Sequence, residues 1–258
     1  MKKFYLIAAL TVATLTANAQ QKLYLSTYNG TNLEKYDGKT CDISTNRYIF
    51  KGWNTIALPF SLSAEELNDI FGNDCRLERL MGVENEGNTI VLNFQDCKAD
   101  GLQANIPYVL YYTGENGNKK IEKQALVSNE SSAITFKTSR GETVTMAGAQ
   151  MQTKGVGFYG IPAKDNGEVN FMKIDDSMNG FYATRCFIQL NSATATNLMA
   201  RHFAAGEVTS IQSVMSNGEA VDVYNLAGKK IASGINAEKI SQLKQGVYVV
   251  KGQKVLVK

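Results

Sequence analysis

The chain has 258 residues, 44% hydrophobic and 20% charged, which supplies a substantial apolar core and excludes a disordered polymer. Its 27 basic and 24 acidic residues leave a net charge of +3, too even a balance for the general electrostatic grip on nucleic acid, which needs a concentrated basic surface. One histidine and four cysteines offer little to a zinc site or to histidine-dependent acid–base chemistry, so no metal and no cofactor is expected, and carboxylates are the remaining catalytic groups.

The first element is an address. Lys2 and Lys3 precede an apolar run from Phe4 to Leu15, diluted only by Thr11 and Thr14, and Ala17-Asn18-Ala19 follows. Small residues at Ala17 and Ala19 occupy the two positions that a signal peptidase reads, so residues 1–19 read as a secretory signal peptide cleaved before Gln20. Loss of the two lysines lowers the net charge to +1. No Cys follows the run to carry a lipid anchor, and no later stretch approaches the roughly 20 apolar residues of a membrane-spanning helix. The mature chain is expected to be exported, to the cell surface or medium, with the periplasm as the alternative.

Residues 20–205 read as a β-sandwich module. β-Branched and aromatic runs recur at Tyr48 to Pro59, Tyr108 to Thr113, Ala133 to Thr138, Gly157 to Ile161, Val169 to Ile174 and Phe181 to Leu190. Asn-Gly at residues 29, 116, 166, 179 and 217, and Asp-Gly at 37 and 100, are candidate reversals, because these pairs tolerate the positive φ of tight turns. Short strands at this spacing predict an all-β, two-sheet fold. One helix interrupts them. Ser63-Ala64-Glu65-Glu66 is a capping box, Leu67, Ile70 and Phe71 follow at helical spacing, and Gly72 ends the element.

The cysteines are read against export. A hairpin whose turn is Glu84-Asn85-Glu86-Gly87, centred on Glu86, would place Cys75 opposite Cys97 and allow a cross-strand disulfide, which a one-residue slip would remove. Cys186, in the run Cys186-Phe187-Ile188, reads as a small core hydrophobe. A second β unit is predicted over residues 206–258, with runs at Val208 to Val214, Val221 to Leu226, Lys230 to Ala232, Gly246 to Val250 and Val255 to Val257. Its seven lysines are spread rather than clustered, as on a solvated β surface.

The tail carries Val223-Tyr224-Asn225-Leu226-Ala227-Gly228, then Leu243-Lys244-Gln245-Gly246-Val247-Tyr248-Val249-Val250, then Lys254-Val255-Leu256-Val257-Lys258. These three ordered blocks, with Gly246, Lys254 and Lys258 as landmarks, resemble the type A carboxy-terminal sorting domain of the Bacteroidota type IX secretion pathway. The resemblance implies a small immunoglobulin-like β-sandwich, passage across the outer membrane, and secretion machinery as a partner. The block from Gly52 to Ser63, Gly-Trp-Asn-Thr-Ile-Ala-Leu-Pro-Phe-Ser-Leu-Ser, resembles a segment of secreted Bacteroidota proteins of unassigned function. That resemblance implies a β-rich extracellular module and brings no catalytic residue. Asp176-Ser177-Met178 is similar to the three-residue O-glycosylation signal of the same bacteria, which makes Ser177 a candidate modification site.

For chemistry, His202 lies between Arg201 and Phe203 and reads as a structural or exposed histidine, and no G-x-S-x-G elbow or phosphate-loop pattern accompanies it. Asp165, Asp175 and Asp176 lack the alternating spacing of a calcium loop. Aromatic side chains make the case for recognition. Tyr111, Tyr112, Tyr159 and Tyr182 are the candidate ligand-binding residues, since flat rings on a sheet face can stack on sugars, whereas Trp53 reads as core. Tyr111 and Tyr112 point to opposite faces of their strand, which leaves one of them for solvent. The resulting expectation is a non-enzymatic exported protein for adhesion, envelope assembly or ligand binding, with a surface glycan or another envelope protein as partner. A carbohydrate-binding module is one alternative. A carboxylate-dependent hydrolase is the other, and needs two acids facing each other about 5 to 10 Å apart.

Overall fold

Strand β2 (Thr40–Ile49) alternates without a fault: Cys41, Ile43, Thr45, Arg47 and Ile49 turn inward, and the residues between them face outward. It lies between β1 (Gln21–Leu25), which runs parallel to it, and the antiparallel β7 (Gly117–Leu126). The computed structural model describes residues 21–138, 140–161, 171–175, 180–191, 197–209 and 219–257. Ala17, Ala19, Asp165, Asp176, Ser177 and Lys258 therefore lie outside the described residues.

The central sheet has the order β13-β5-β4-β6-β3, formed by β3 (Gly52–Ile56), β4 (Arg76–Glu86), β5 (Thr89–Asp96), β6 (Tyr108–Tyr112) and β13 (Asn197–Phe203). Its inner strands do not alternate. Ile90 to Phe94 and Tyr108 to Leu110 are buried without a break, the pattern of strands covered on both faces. Leu77, Tyr108, Leu110 and Tyr112 pack against Leu23, Leu25 and Ile43 of the first sheet. Leu80, Leu92, Phe94 and Val109 pack the opposite way, against Val144, Met146 and Ile188. Those three belong to a third sheet, of order β11-β10-β12-β9-β8, built from β8 (Ala133–Lys137), β9 (Thr143–Gly148), β10 (Tyr159–Gly160), β11 (Met172–Lys173) and β12 (Cys186–Asn191). The all-β expectation holds, but with three layers where two sheets were predicted. A register shift between Leu80 and Gly82 reconciles the packing with the pleat, because it lets Leu80 and Val83, three residues apart, enter the same core.

Helix α1 (Ala64–Phe71) forms as its capping box dictates: the Ser63 hydroxyl accepts from the Glu66 amide at 3.1 Å, and Glu66 Oε2 accepts from the Ser63 amide at 2.8 Å. Leu67 and Phe71 join the core beside the first sheet. Burial weakens the Glu66 carboxylate, yet the Lys123 ammonium at 2.6 Å and the Ser63 donors hold its pKa below the usual range.

The β4–β5 hairpin corrects the disulfide expectation. Its turn is Gly87-Asn88 and Glu86 pairs with Thr89, so the hairpin is displaced from the centre assumed above. Cys97 donates its amide to the Leu77 carbonyl at 2.8 Å and does not face Cys75. Cys75 and Cys97 are free thiols, as are Cys41 and Cys186. Cys186 is the core hydrophobe expected, 1% exposed, and burial pushes its thiol up to about 12. Asn-Gly pairs also act differently from expectation. Asn116-Gly117 leads the chain out of the central sheet into β7, and Asn116 Oδ1 accepts from the Lys51 amide at 2.7 Å.

The last sheet contains β14 (Val208–Thr209), β15 (Val221–Asn225), β16 (Lys230–Ile235), β17 (Gly246–Val250) and β18 (Gln253–Val257), in the order β14-β18-β17-β15-β16. Lys251-Gly252, both at positive φ, closes β17 and β18 with the geometry that matches strand twist. One face packs Val223, Val250, Val255 and Val257 on Ile240 of α2 (Ala237–Ser241). The other turns Val247 and Leu256 onto Met81 and Phe203 of the central sheet. A Cβ at Gly82 would stand 3.1 Å from Leu256 Cδ1, so the missing side chain makes room for this contact. Among the described residues the tail is one sheet, one face of which packs on the module through Val247 and Leu256.

Candidate functional site

The site starts from an oddity in β2. Four inward positions carry Cys41, Ile43, Thr45 and Ile49, and the fifth carries Arg47, 1% exposed. A buried guanidinium must find acceptors. Its Nη1 donates to the Thr184 carbonyl at 2.7 Å and to the Thr184 hydroxyl, and its Nη2 donates to the Thr55 carbonyl. Arg47 thereby ties the first sheet to β3 and to the turn before β12. Thr184 sits in the left-handed region, at φ 65°, and its amide bonds the Ala149 carbonyl at 2.7 Å.

Beside Arg47 opens a cleft of about 220 Å³ lined by Thr27, Tyr28, Arg47, Tyr48, Phe50, Tyr182 and Arg185. Three chain segments converge there. The Ala183 amide bonds the Tyr28 carbonyl at 3.1 Å, and the Thr27 hydroxyl bonds the Asn46 carbonyl at 2.7 Å, which pins the loop after β1 to the turn before β12 and to β2. Tyr28 and Tyr182 bring their ring centroids to 4.3 Å at 31°, and Tyr48 and Phe50 bring theirs to 5.0 Å at 58°. Tyr28 is 53% and Tyr48 44% exposed, an apolar surface that nothing in the described chain covers. The neighbouring Tyr182 phenol pushes the Tyr28 hydroxyl above its usual value.

The charges of the cleft are both positive. Burial, and then the Arg185 guanidinium, lower the Arg47 pKa well below its ordinary value, and burial lowers that of Arg185. Arg47 Nε is buried and has no hydrogen-bond partner among the described residues.

Of the tyrosines selected from sequence, Tyr182 alone lines this cleft. Tyr111 and Tyr112 do point to opposite faces: Tyr112 is 5% exposed in the first core, and Tyr111 is half-buried against Trp53 with centroids 5.0 Å apart. Tyr159 is buried in the second core, as is Trp53. Tyr112 and Tyr159 are buried, and Tyr111 is half-buried beside Trp53. Arg47 carried a legible signal, a charge on the inward side of an alternating strand. Tyr28, Tyr48, Phe50 and Arg185 carried none, since only tertiary folding brings them together.

A second polar cluster surrounds Glu78, which is fully buried. Arg76 and His202 Nδ1 both pair with its carboxylate. The His202 ring stacks on Trp53 at 4.1 Å and 20°. This histidine is structural, its ring and its nitrogen both engaged. No known protein family, curated protein or solved structure matches the chain.

Proposed function

We propose that this is an exported, non-enzymatic ligand-binding protein of the cell surface or medium, and that its aromatic cleft takes a saccharide ring for adhesion or glycan capture. The observation that carries the reading is the Tyr28–Tyr182 ring pair at an open cleft whose walls combine phenol rings with polar donors. Rings of this kind offer a flat apolar surface to the C–H face of a sugar while their hydroxyls and nearby N–H groups fix its orientation. The charged groups lining the cleft are arginines, whereas a hydrolase of the carboxylate type needs facing acids. The three tail blocks support type IX sorting as the route to the surface.

Calorimetric titration of the mature chain against a panel of soluble oligosaccharides tests the binding reading. Tyr28→Ala and Tyr182→Ala are expected to weaken a binding member about five- to tenfold, ~1–1.5 kcal/mol, and Tyr111→Phe to leave it unchanged. Binding that is indifferent to Tyr28 and Tyr182, or absent across the panel, would overturn the assignment. The intact mass of the protein recovered from surface and medium tests the route: a form lacking the tail near residue 206 is expected, and a full-length mature form confined to the periplasm would exclude it.

A further inference from the structure

We infer that the cleft is an anion site, and that its saccharide carries a carboxylate or sulfate seated between Arg47 and Arg185. The inference rests on the saccharide reading above and names the ligand class. Both guanidiniums line one cleft. Neither has a carboxylate partner among the described residues, whereas Arg76 is paired with Glu78 and Arg201 with Glu84 and Glu86. Two like charges brought together under partial burial repel each other, and a low-dielectric wall strengthens both that repulsion and the attraction of an anion that relieves it.

The two arginines divide the work. Arg47 is held by the Thr55 and Thr184 carbonyls, so its position is set before any ligand arrives, and its Nε–H remains without an acceptor among the described residues. Its burial has a structural explanation in that clamp. Arg185 has none, because no side-chain hydrogen bond or ion pair holds it among the described residues, while its backbone is fixed by the bond from the Ala149 amide at 2.7 Å. A planar guanidinium presented beside a ring pair matches the two oxygens of a carboxylate, or two of a sulfate, in the fork geometry that a lysine lacks. The rings would then take the sugar and the guanidiniums its acidic substituent.

The test uses the mature chain, two acidic probes and their neutral counterparts: oligogalacturonate with its methyl ester, and a sulfated chondroitin fragment with its desulfated, carboxyl-esterified form. Affinities are measured by calorimetry at low and physiological salt, with Arg185→Ala as the variant, because Arg47 also holds the layers together. At least one acidic probe is expected to bind ten times or more tighter than its neutral counterpart, and Arg185→Ala to abolish that difference with the neutral probe within twofold of wild type. Tight binding of oligogalacturonate would show that a carboxylate suffices. Equal binding of acidic and neutral probes, lost in Tyr28→Ala, would overturn the anion site and leave the saccharide reading intact. An acidic preference that survives Arg185→Ala would place the anion elsewhere and overturn the inference. Binding by none of the four probes would overturn it too, while a neutral member of the wider oligosaccharide panel could still satisfy the saccharide reading.

Discussion

Glu78 and Arg47 are both buried charges on inward-facing strand positions, and they have been treated differently. Glu78, on β4, is flanked by Arg76 and His202, which reach it from positions that still touch solvent. Arg47, on β2, meets carbonyl oxygens and a second arginine but, among the described residues, no carboxylate. A buried charge with its counter-ion is consumed by architecture, and removing one partner strands the other. A buried cation held by neutral dipoles alone keeps part of its field for something outside the chain. That difference separates the Glu78 cluster, which holds β13 to β4, from the arginine cleft, which has charge to spare.

The comparison can be broken most directly at Glu78. Glu78→Ala is expected to cost about 3 kcal/mol in urea unfolding, the low end for a broken buried pair, because Arg76 and His202 can recover water. A loss under about 1 kcal/mol would mean that the pairing contributes little. Arg47→Met should cost less, about 1–2 kcal/mol: the Thr55 and Thr184 carbonyls lose donors, but relief of an uncompensated cation offsets part of that. If Arg47→Met equals or exceeds Glu78→Ala, the two charges are alike and the contrast fails. Arg185→Ala should lie within about 0.5 kcal/mol of wild type, since no partner is stranded and a repulsion is removed. A larger loss would give Arg185 a structural role.

An exposed pair extends the comparison to its weak end. In the tail, Asp222 accepts from Lys230 Nζ at 2.6 Å, from the Ser233 hydroxyl at 2.6 Å and from the Gly234 amide at 3.2 Å, and these donors, Lys230 first, lower its pKa to about 2. A depressed carboxylate contributes stability that is fully present above its unfolded value of about 3.9 and is lost as pH falls through the folded one. NMR titration should place its midpoint near 2, and Asp222→Asn should remove only the part of the acid sensitivity that lies in that window. A midpoint at the ordinary carboxylate value would dissolve the Asp222 cluster. The smallest effect is none: with four free thiols, a reducing agent should leave the unfolding midpoint unmoved, whereas a lost disulfide would lower stability by about 2–4 kcal/mol.

Much of the local structure was legible. Ser63 and Glu66 announced α1, because a capping box is completed within four residues. The runs at Tyr108 and Ala133 marked β6 and β8, and Trp53 and Cys186 were recognisable as core. The Cys75–Cys97 pairing failed because hairpin register depends on which two residues make the turn, and the turn is Gly87-Asn88, with a further register shift between Leu80 and Gly82. Tyr111 and Tyr112 are less exposed than an alternating strand suggests, for another reason. Alternation assigns each ring a face, and it does not say whether a third sheet will cover the face that is left.

The sequence by itself determined much of the local structure: the alternation of β2, the helix cap and the balance of charge, of which the first two are set by neighbours a few residues away. Only tertiary structure decided the three-layer stacking, the packing of the tail sheet on the central sheet through Leu256 and Val247, and the meeting of Tyr28, Arg47, Tyr182 and Arg185 around one cleft. Those outcomes join residues far apart in the chain: Met81 and Leu256, which pack together, are 175 positions apart, and Tyr28 and Arg185, which line one cleft, are 157 apart. Burial of whole faces chooses such contacts, and a strand's own period specifies only which side of it is apolar.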